Sequence, residues 1–387
     1  TSVNNLGVML KAKGDSAGAK ELYRRALEGK EKTLGPEHPD TLTIADNLGG
    51  LLYSMADYLA AEALCRRALA GREKALGPEH PDTLTSVNNL GVMLKAKGDS
   101  AGAEQLYRRA LAGREKALGP EHPDTLISVN GLGVLLYAKG DYAGAEKMYR
   151  LMLNRREASK GLEHPDTLTS ANNLGLLLKK MGDSAGAEQL YRRALAGREK
   201  ALGPEHPDTL VSVNNLGSLL RDKGDLDEAE ELYYRALAGK EKAFGADHSS
   251  TLKTVYNLGM LLEKKSDFNR AEQLTLRALE GQIEVLGREH QDTLNSAQLL
   301  GNVFSQQGRF SDAIKLLRSY TSHSADAEDA LTYNLACYEC QEGNHDEAKR
   351  LIAAHLEKHP EKKKSALSDE DFTAIRDFIE TLAPSIG

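Results

Sequence analysis

Four groups of residues in this chain have types and spacings that could do chemistry. The first is histidine: His38, His80, His122, His164, His206, His248 and His290 each follow the last by 42 residues. Imidazole is a common metal ligand, but zinc needs four donors at roughly 2 Å from one point. A strictly translated series carries its members apart. These histidines therefore read as loop residues that pack or hydrogen-bond beside the next helix start. The second group is Cys337-Tyr338-Glu339-Cys340. A redox C-x-x-C normally opens a helix after a strand, and no strand pattern occurs here. A metal site would need a second pair, which is missing, so core cysteines are the expectation. The third group is basic. Runs such as Arg108-Arg109 and Arg114-Glu115-Lys116 interleave with glutamate and read as a solvated outer face.

The fourth group carries a functional reading. Asn4, Asn5, Asn47, Asn88, Asn89, Asn130, Asn172, Asn173, Asn214, Asn215 and Asn257 recur at one place in the repeat. An Asn amide offers two donors and an acceptor, and can pair with peptide backbone whatever the ligand's side chains. Lys11, Lys95, Lys179 and Arg221 fall one or two turns further on, interspersed with Tyr53 and Tyr137. That chemistry suits an extended, somewhat acidic peptide. The competing reading is that the amides bond to the neighbouring repeat and only hold the stack. Nowhere does a nucleophile–base set, a Gly-rich phosphate loop or a carboxylate pair stand out. No catalytic residue, metal or cofactor is expected, and the chain reads as a non-enzyme.

The elements that position these residues follow from the period. Around each histidine runs a phrase close to L-G-P-E-H-P-D-T-L, as at Leu76 to Leu84. Pro81-Asp82-Thr83 supplies helix-start signals, because Asp or Thr can accept from the free N–H groups of a first turn and Pro lacks one of them. Leu84, Val87, Leu90, Gly91 and Leu94 then recur at helical spacing. Gly98-Asp99 stops that helix, with Gly suited to the left-handed C-terminal position. A second helix carries Ala103, Leu106, Tyr107, Ala110, Leu111 and Leu118 on one face and ends at Gly119-Pro120. Gly29, Gly71, Gly113, Gly197, Gly239 and Gly281 lie inside the second helices. Each costs about 1 kcal/mol relative to Ala, so close helix contact or a bend is expected there. Arg155 replaces this Gly in the fourth repeat, whose local packing should differ.

Two short helices cannot be stable alone; stacking neighbours supplies the missing core. The Leu-Gly of the first helix and the Ala, Tyr and Ala of the second resemble the tetratricopeptide repeat (TPR). The usual unit is 34 residues, whereas here Gly113 to Leu118 extends the second helix. That long form, with N-N-L and L-G-P-x-H-P-D, is similar to the repeats of kinesin light chains and their relatives. The resemblance implies an all-α fold, a right-handed α-α superhelical solenoid of TPR helix pairs. It also implies a concave surface lined by the first helices, where the Asn series falls. Residues 1–322 read as about eight such hairpins, the first truncated at its start, and 323–328 as a polar linker. Residues 329–362 read as one TPR of ordinary length, and 368–387 as a C-terminal capping helix from about Ser368 to Leu382, with Phe372, Ile375, Ile379 and Leu382 as its apolar stripe.

Composition narrows the partners. The net charge of -7 opposes a phosphate-binding role, so no nucleic acid is expected. No apolar run approaches the roughly 20 residues that span a bilayer, so no direct membrane insertion is expected either. Three cysteines suggest a reducing compartment and favour the cytoplasm. Thr1 to Gly7 match Thr85 to Gly91 inside a later repeat, so the natural protein should continue upstream, where any targeting segment would lie. The partner is expected to be protein: an extended peptide segment held in the groove by a scaffold or adaptor. Two rivals are an architectural spacer among the subunits of a larger assembly and a kinesin-light-chain-like cargo adaptor.

Overall fold

The computed structural model describes residues 15–321 and 325–382. Asn4, Asn5 and Lys11 lie outside the described residues. Within them the chain is all-α, with nineteen helices and no strand. It divides into two compact units, one ending at Gly197 and one beginning at Arg198.

The first unit contains α1 (Ser16–Leu34), α2 (Pro39–Ser54), α3 (Tyr58–Leu76), α4 (Pro81–Ala96), α5 (Ser100–Leu118), α6 (Pro123–Ala138), α7 (Tyr142–Lys160) and α8 (Pro165–Met181). The helix α9 (Ser184–Leu202) follows. From α1 to α8 each helix packs on the next, and the first helices α2, α4 and α6 also touch one another. In the second unit, α10 (Pro207–Lys223), α11 (Leu226–Phe244), α12 (Ser249–Lys264), α13 (Phe268–Leu286), α14 (Gln291–Gln306) and α15 (Phe310–Thr321) repeat the pattern.

The start of each first helix is capped by histidine, not by the Asp or Thr expected. His80 is the N-cap, Pro81 opens the helix, and the His80 Nδ1 accepts from the Asp82 N–H at 3.2 Å. The same bond forms at His38, His122, His164, His206, His248 and His290. Thr83 acts elsewhere, donating its hydroxyl to the Gly77 carbonyl at 2.8 Å and closing the preceding loop. At the other end, Gly98 takes φ 86°, in the left-handed region, and Asp99 Oδ1 accepts from the Gly102 N–H at 2.9 Å to start α5.

Small residues let the helix pairs close up. A Cβ at Gly113 would stand 2.6 Å from the Leu84 Cδ2 on the partner helix, and Gly71, Gly197, Gly239 and Gly281 are as tight. The expected close contact is missing at Gly29, where a Cβ would meet nothing within 4 Å among the described residues. In the fourth repeat Arg155 takes that place and pairs with Glu115. There Leu126, Val129 and Met152 form a small cluster of their own.

The C-terminal end differs from the expected layout. The helix α16 (Ala325–Gln341) already begins inside the stretch read as linker, and α17 (His345–Lys358) completes the last pair. In place of one helix from Ser368 there are α18 (Lys363–Ser368), a 3-10 turn over Glu370–Ile375 and α19 (Arg376–Thr381). The break lies at Asp369, whose backbone is extended and whose Oδ1 caps the Asp371 N–H at 3.1 Å. Tyr333 on α16 donates to Asp369 Oδ2 at 2.7 Å and holds the break in place. The stripe Phe372, Ile375 and Ile379 is nevertheless buried, as its spacing requires.

Candidate peptide-binding groove

The Asn series splits into two ladders at adjacent helix positions. One position on the first helices holds Asp46, Asn88, Asn130, Asn172 and Asn214; the next holds Asn47, Asn89, Asn173, Asn215 and Asn257.

The first ladder faces into the stack. Asn88 is buried, and its Oδ1 accepts from Ser128 on the next first helix at 3.2 Å. Beneath them Arg114 donates to the Ser128 hydroxyl at 2.9 Å, the Asp124 carbonyl at 2.8 Å and the Thr85 hydroxyl at 3.0 Å. In the second unit, Asn214 accepts from Thr254 at 3.3 Å and from Asn257 at 3.2 Å, with Lys240 donating to Thr254 at 2.9 Å. In the second repeat, Asp46 replaces Asn: its Oδ2 accepts from Ser86 at 2.7 Å and is paired with Arg72. Asn172 is also buried. Asn130 is exposed, and Ser170 donates instead to the Asp166 carbonyl at 3.3 Å.

These cations correct the solvated-face reading. Arg72, Arg114, Arg198 and Lys240 are 5%, 2%, 4% and 4% exposed. Burial lowers the pKa of Arg114 and Arg198 and brings Lys240 down to about 8. The signal was present in the spacing. Arg114 continues the stripe Ala103, Tyr107, Ala110 at helical intervals, and that stripe is buried. The neighbouring Arg108 and Lys116 are exposed and pair with Glu104 and Glu79, as a solvated face should.

No member of the second ladder is fully buried, although Asn257 donates to Asn214 across the stack. Asn47 and Asn89 line a concavity of about 360 Å³ in the first unit, together with Tyr23, Asp46, Tyr53 and Val92. Tyr53, at 37% exposed, forms one wall, with its ring 5.7 Å from that of Tyr58. Tyr137 packs in the same tilted way against Tyr142, with ring centroids 5.6 Å apart. Lys95 and Lys179 occupy the equivalent place on α4 and α8, both half-buried. Asn173 is exposed, and Asn215 and Asn257 are half-buried. In the second unit Arg221 lines a separate concavity with Met260, Glu263 and Lys264. Its guanidinium is engaged by Asp222 at 2.8 Å, and burial raises the Glu263 carboxyl against the opposing pull of Arg221.

The cysteines are buried and unpaired. Burial pushes Cys65 up to about 12 and Cys337 higher still, the latter helped by the carboxylates of Asp369 and Asp371. Among the described residues the one cluster of metal-type donors is Cys337, Asp369 and Asp371, with their ligand atoms within 4.8 Å of one another. Both carboxylates already fasten the C-terminal turn to α16, through Tyr333 and through Gln341, whose Nε2 donates to Asp371 Oδ1 at 3.1 Å.

The sequence profile of the tetratricopeptide repeat matches seven overlapping stretches that run from residue 1 to residue 323. The chain is a tetratricopeptide-repeat protein. As an array of TPR helix pairs it is an interaction scaffold, a fold that binds other proteins or peptides. Among solved structures, one titled a putative kinesin light chain with nearly identical TPR-like repeats, from Podosopora anserina, is 27% identical, with a TM-score of 0.50 over 54% of this chain and 99% of its own. The apo quorum sensor NprR of B. thuringiensis shares the fold at 12% identity and a TM-score of 0.61, over 92% of this chain and 97% of its own. Apo RapI does so at 14% identity and a TM-score of 0.65, over 94% and 98%. No curated protein matches the TPR chain in sequence.

Proposed function

We propose that this TPR array is an adaptor whose first-helix face holds an extended segment of a partner protein. The observation behind this reading is the concavity of about 360 Å³ that Asn47 and Asn89 line with Tyr23 and Tyr53. Asn88, Asn214 and Asn257 serve the stack instead. Amide pairs at regular intervals suit a peptide backbone, which presents alternating N–H and C=O groups. The net charge of -7 weighs against a phosphate-backbone ligand.

The test is an immobilised peptide array probed with three proteins. Asn47→Ala with Asn89→Ala should lose the bound spots and keep the thermal midpoint. Asn88→Ala should lower stability instead. Unchanged binding by the first variant leaves the architectural reading, which the stacking role of Asn88 and Asn214 favours. The cargo-adaptor reading draws on the 27% identity to the structure titled a putative kinesin light chain. It requires co-purification with a motor heavy chain.

A further inference from the structure

The concavity of the second unit contains a carboxylate that the stack does not use. It encloses about 430 Å³ at the C-terminal ends of α10, α12 and α14, where Arg221, Met260, Glu263, Lys264, Phe268 and Gln306 line it. Met260, Glu263 and Lys264 stand at i, i+3 and i+4 on α12 and share one face. Both cations of the lining are engaged within the array. Arg221 donates to Asp222 at 2.8 Å and to the Met260 sulfur at 3.4 Å, and the Lys264 ammonium donates to the Arg221 carbonyl at 2.8 Å. Glu263 is half-buried and accepts no hydrogen bond and forms no ion pair among the described residues. Its oxygens nevertheless keep contact with solvent, unlike the sealed Oδ1 of Asp46. Burial raises the Glu263 carboxyl, and only the nearby charge of Arg221 opposes that shift.

The geometry points to a second recognition site: the Glu263 carboxylate receives the guanidinium of an arginine on a partner protein, with the arginine stem over Met260 and Phe268. The site uses neither Asn47 nor Asn89 and goes beyond the first-unit groove. Charge selects a cation. Helix C-termini carry partial negative charge, and three of them border the space. A ligand carboxylate would meet Glu263 while the cations that could balance it are already taken. The net charge of -7 also draws a basic segment. Shape selects arginine over lysine. A guanidinium can bond a carboxylate along one edge and still donate to the exposed Gln306 carbonyl, which a compact ammonium does less well. The array contains the same combination in its own side chains: Arg309 lies 4.3 Å from the centre of the Phe304 ring while pairing with Glu272 at 2.9 Å.

The test pans a phage-displayed random dodecapeptide library on the full chain, on Glu263→Gln, on Glu263→Lys and on Asn47→Ala with Asn89→Ala. Glu263→Lys is compatible with the fold, because Lys95 and Lys179 hold the same place in the third and fifth repeats. Wild-type motifs should share Arg at one position, and changing it to Ala should cost about tenfold in affinity. Glu263→Gln should lose the Arg, and Glu263→Lys should replace it with Asp or Glu, while the double Ala variant keeps it. Arg kept on both Glu263 variants but lost on the double variant would overturn the site and assign basic recognition to the first-unit groove. No enrichment of Arg on the wild type would overturn it as well, whatever the double variant shows of the groove.

Discussion

The second and sixth repeats bury the same polar position in different ways. In the second, a carboxylate and a guanidinium, Asp46 and Arg72, neutralise each other under Ser86. In the sixth, a lone ammonium, Lys240, lies under Asn214 and Thr254 with only neutral acceptors, the Thr254 hydroxyl and the Ser250 carbonyl. One arrangement confines two charges that depend on each other. The other confines one charge that can be given up. The hydrogen-bond frame is nearly the same, so the difference should appear in mutational cost and in pH dependence.

The largest expected effect is Asp46→Ala. Removing one partner of a buried ion pair leaves the other charge uncompensated, at a cost of about 3–5 kcal/mol. Asp46→Asn removes the same charge but keeps an acceptor for Ser86, as Asn88 does for Ser128, and should cost less than Ala by about 1–2 kcal/mol. Urea unfolding, followed by hydrogen exchange in α2 and α4, measures both. Equal costs would mean that the charge lost in both variants sets the cost and that the retained acceptor adds nothing.

Lys240 comes next, and its effect depends on pH. Burial depresses its pKa from 10.5 to about 8. Between these values the folded state has released a proton that the unfolded chain still holds, so stability rises with pH across that window. Below about 8 the buried ammonium imposes its full penalty, on the order of 3 kcal/mol. Lys240→Gln should remove the slope, and the seventh repeat shows that Gln fits, since Gln282 Oε1 accepts from Ser296 at 2.6 Å. Urea midpoints at pH 7 and pH 9.5, wild type against variant, decide it. A slope retained in the variant would assign it to other groups.

Gly71→Ala tests the packing that the two repeats share, since Gly239 is as close to Leu210 as Gly71 is to Leu42. Ala gains about 1 kcal/mol of helix propensity over Gly, but its Cβ would stand 2.7 Å from Leu42 Cδ1. Overpacking of this kind costs about 1–3 kcal/mol, so the net expectation is a loss of about 1 kcal/mol in a thermal melt. A stabilised variant would show that Leu42 can move aside.

The helix pairs were legible in the sequence because the Leu, Ala, Tyr and Gly stripes repeat at helical intervals and recur every 42 residues. What escaped is polar. Arg114 sits on the buried stripe, but a basic residue beside Glu and Lys suggests a solvated face unless its register is counted from Ala103 and Ala110. The two Asn ladders merged because adjacent residues on a helix point about 100° apart, and only the neighbouring helix decides which one is covered. At the C-terminus the apolar spacing continues across Asp369 and conceals the break there. The cause of the break, Tyr333, lies 36 residues away in sequence.

The smallest effect concerns the histidine common to both repeats. Its ring Nδ1 replaces the usual Ser, Asp or Asn oxygen at the N-cap, as at His38 with the Asp40 N–H at 3.2 Å. His38→Ala removes one cap and should cost about 0.5–1 kcal/mol, with faster exchange at the Asp40 amide. His38→Asn supplies an oxygen at the same place and should restore both. Comparing the same pair of substitutions at His206, which starts α10 in the sixth repeat, separates the cap from the polar frame. The bond there is also 3.2 Å, so equal losses at the two sites would confirm that the repeats differ in their buried charge and not in how their helices begin.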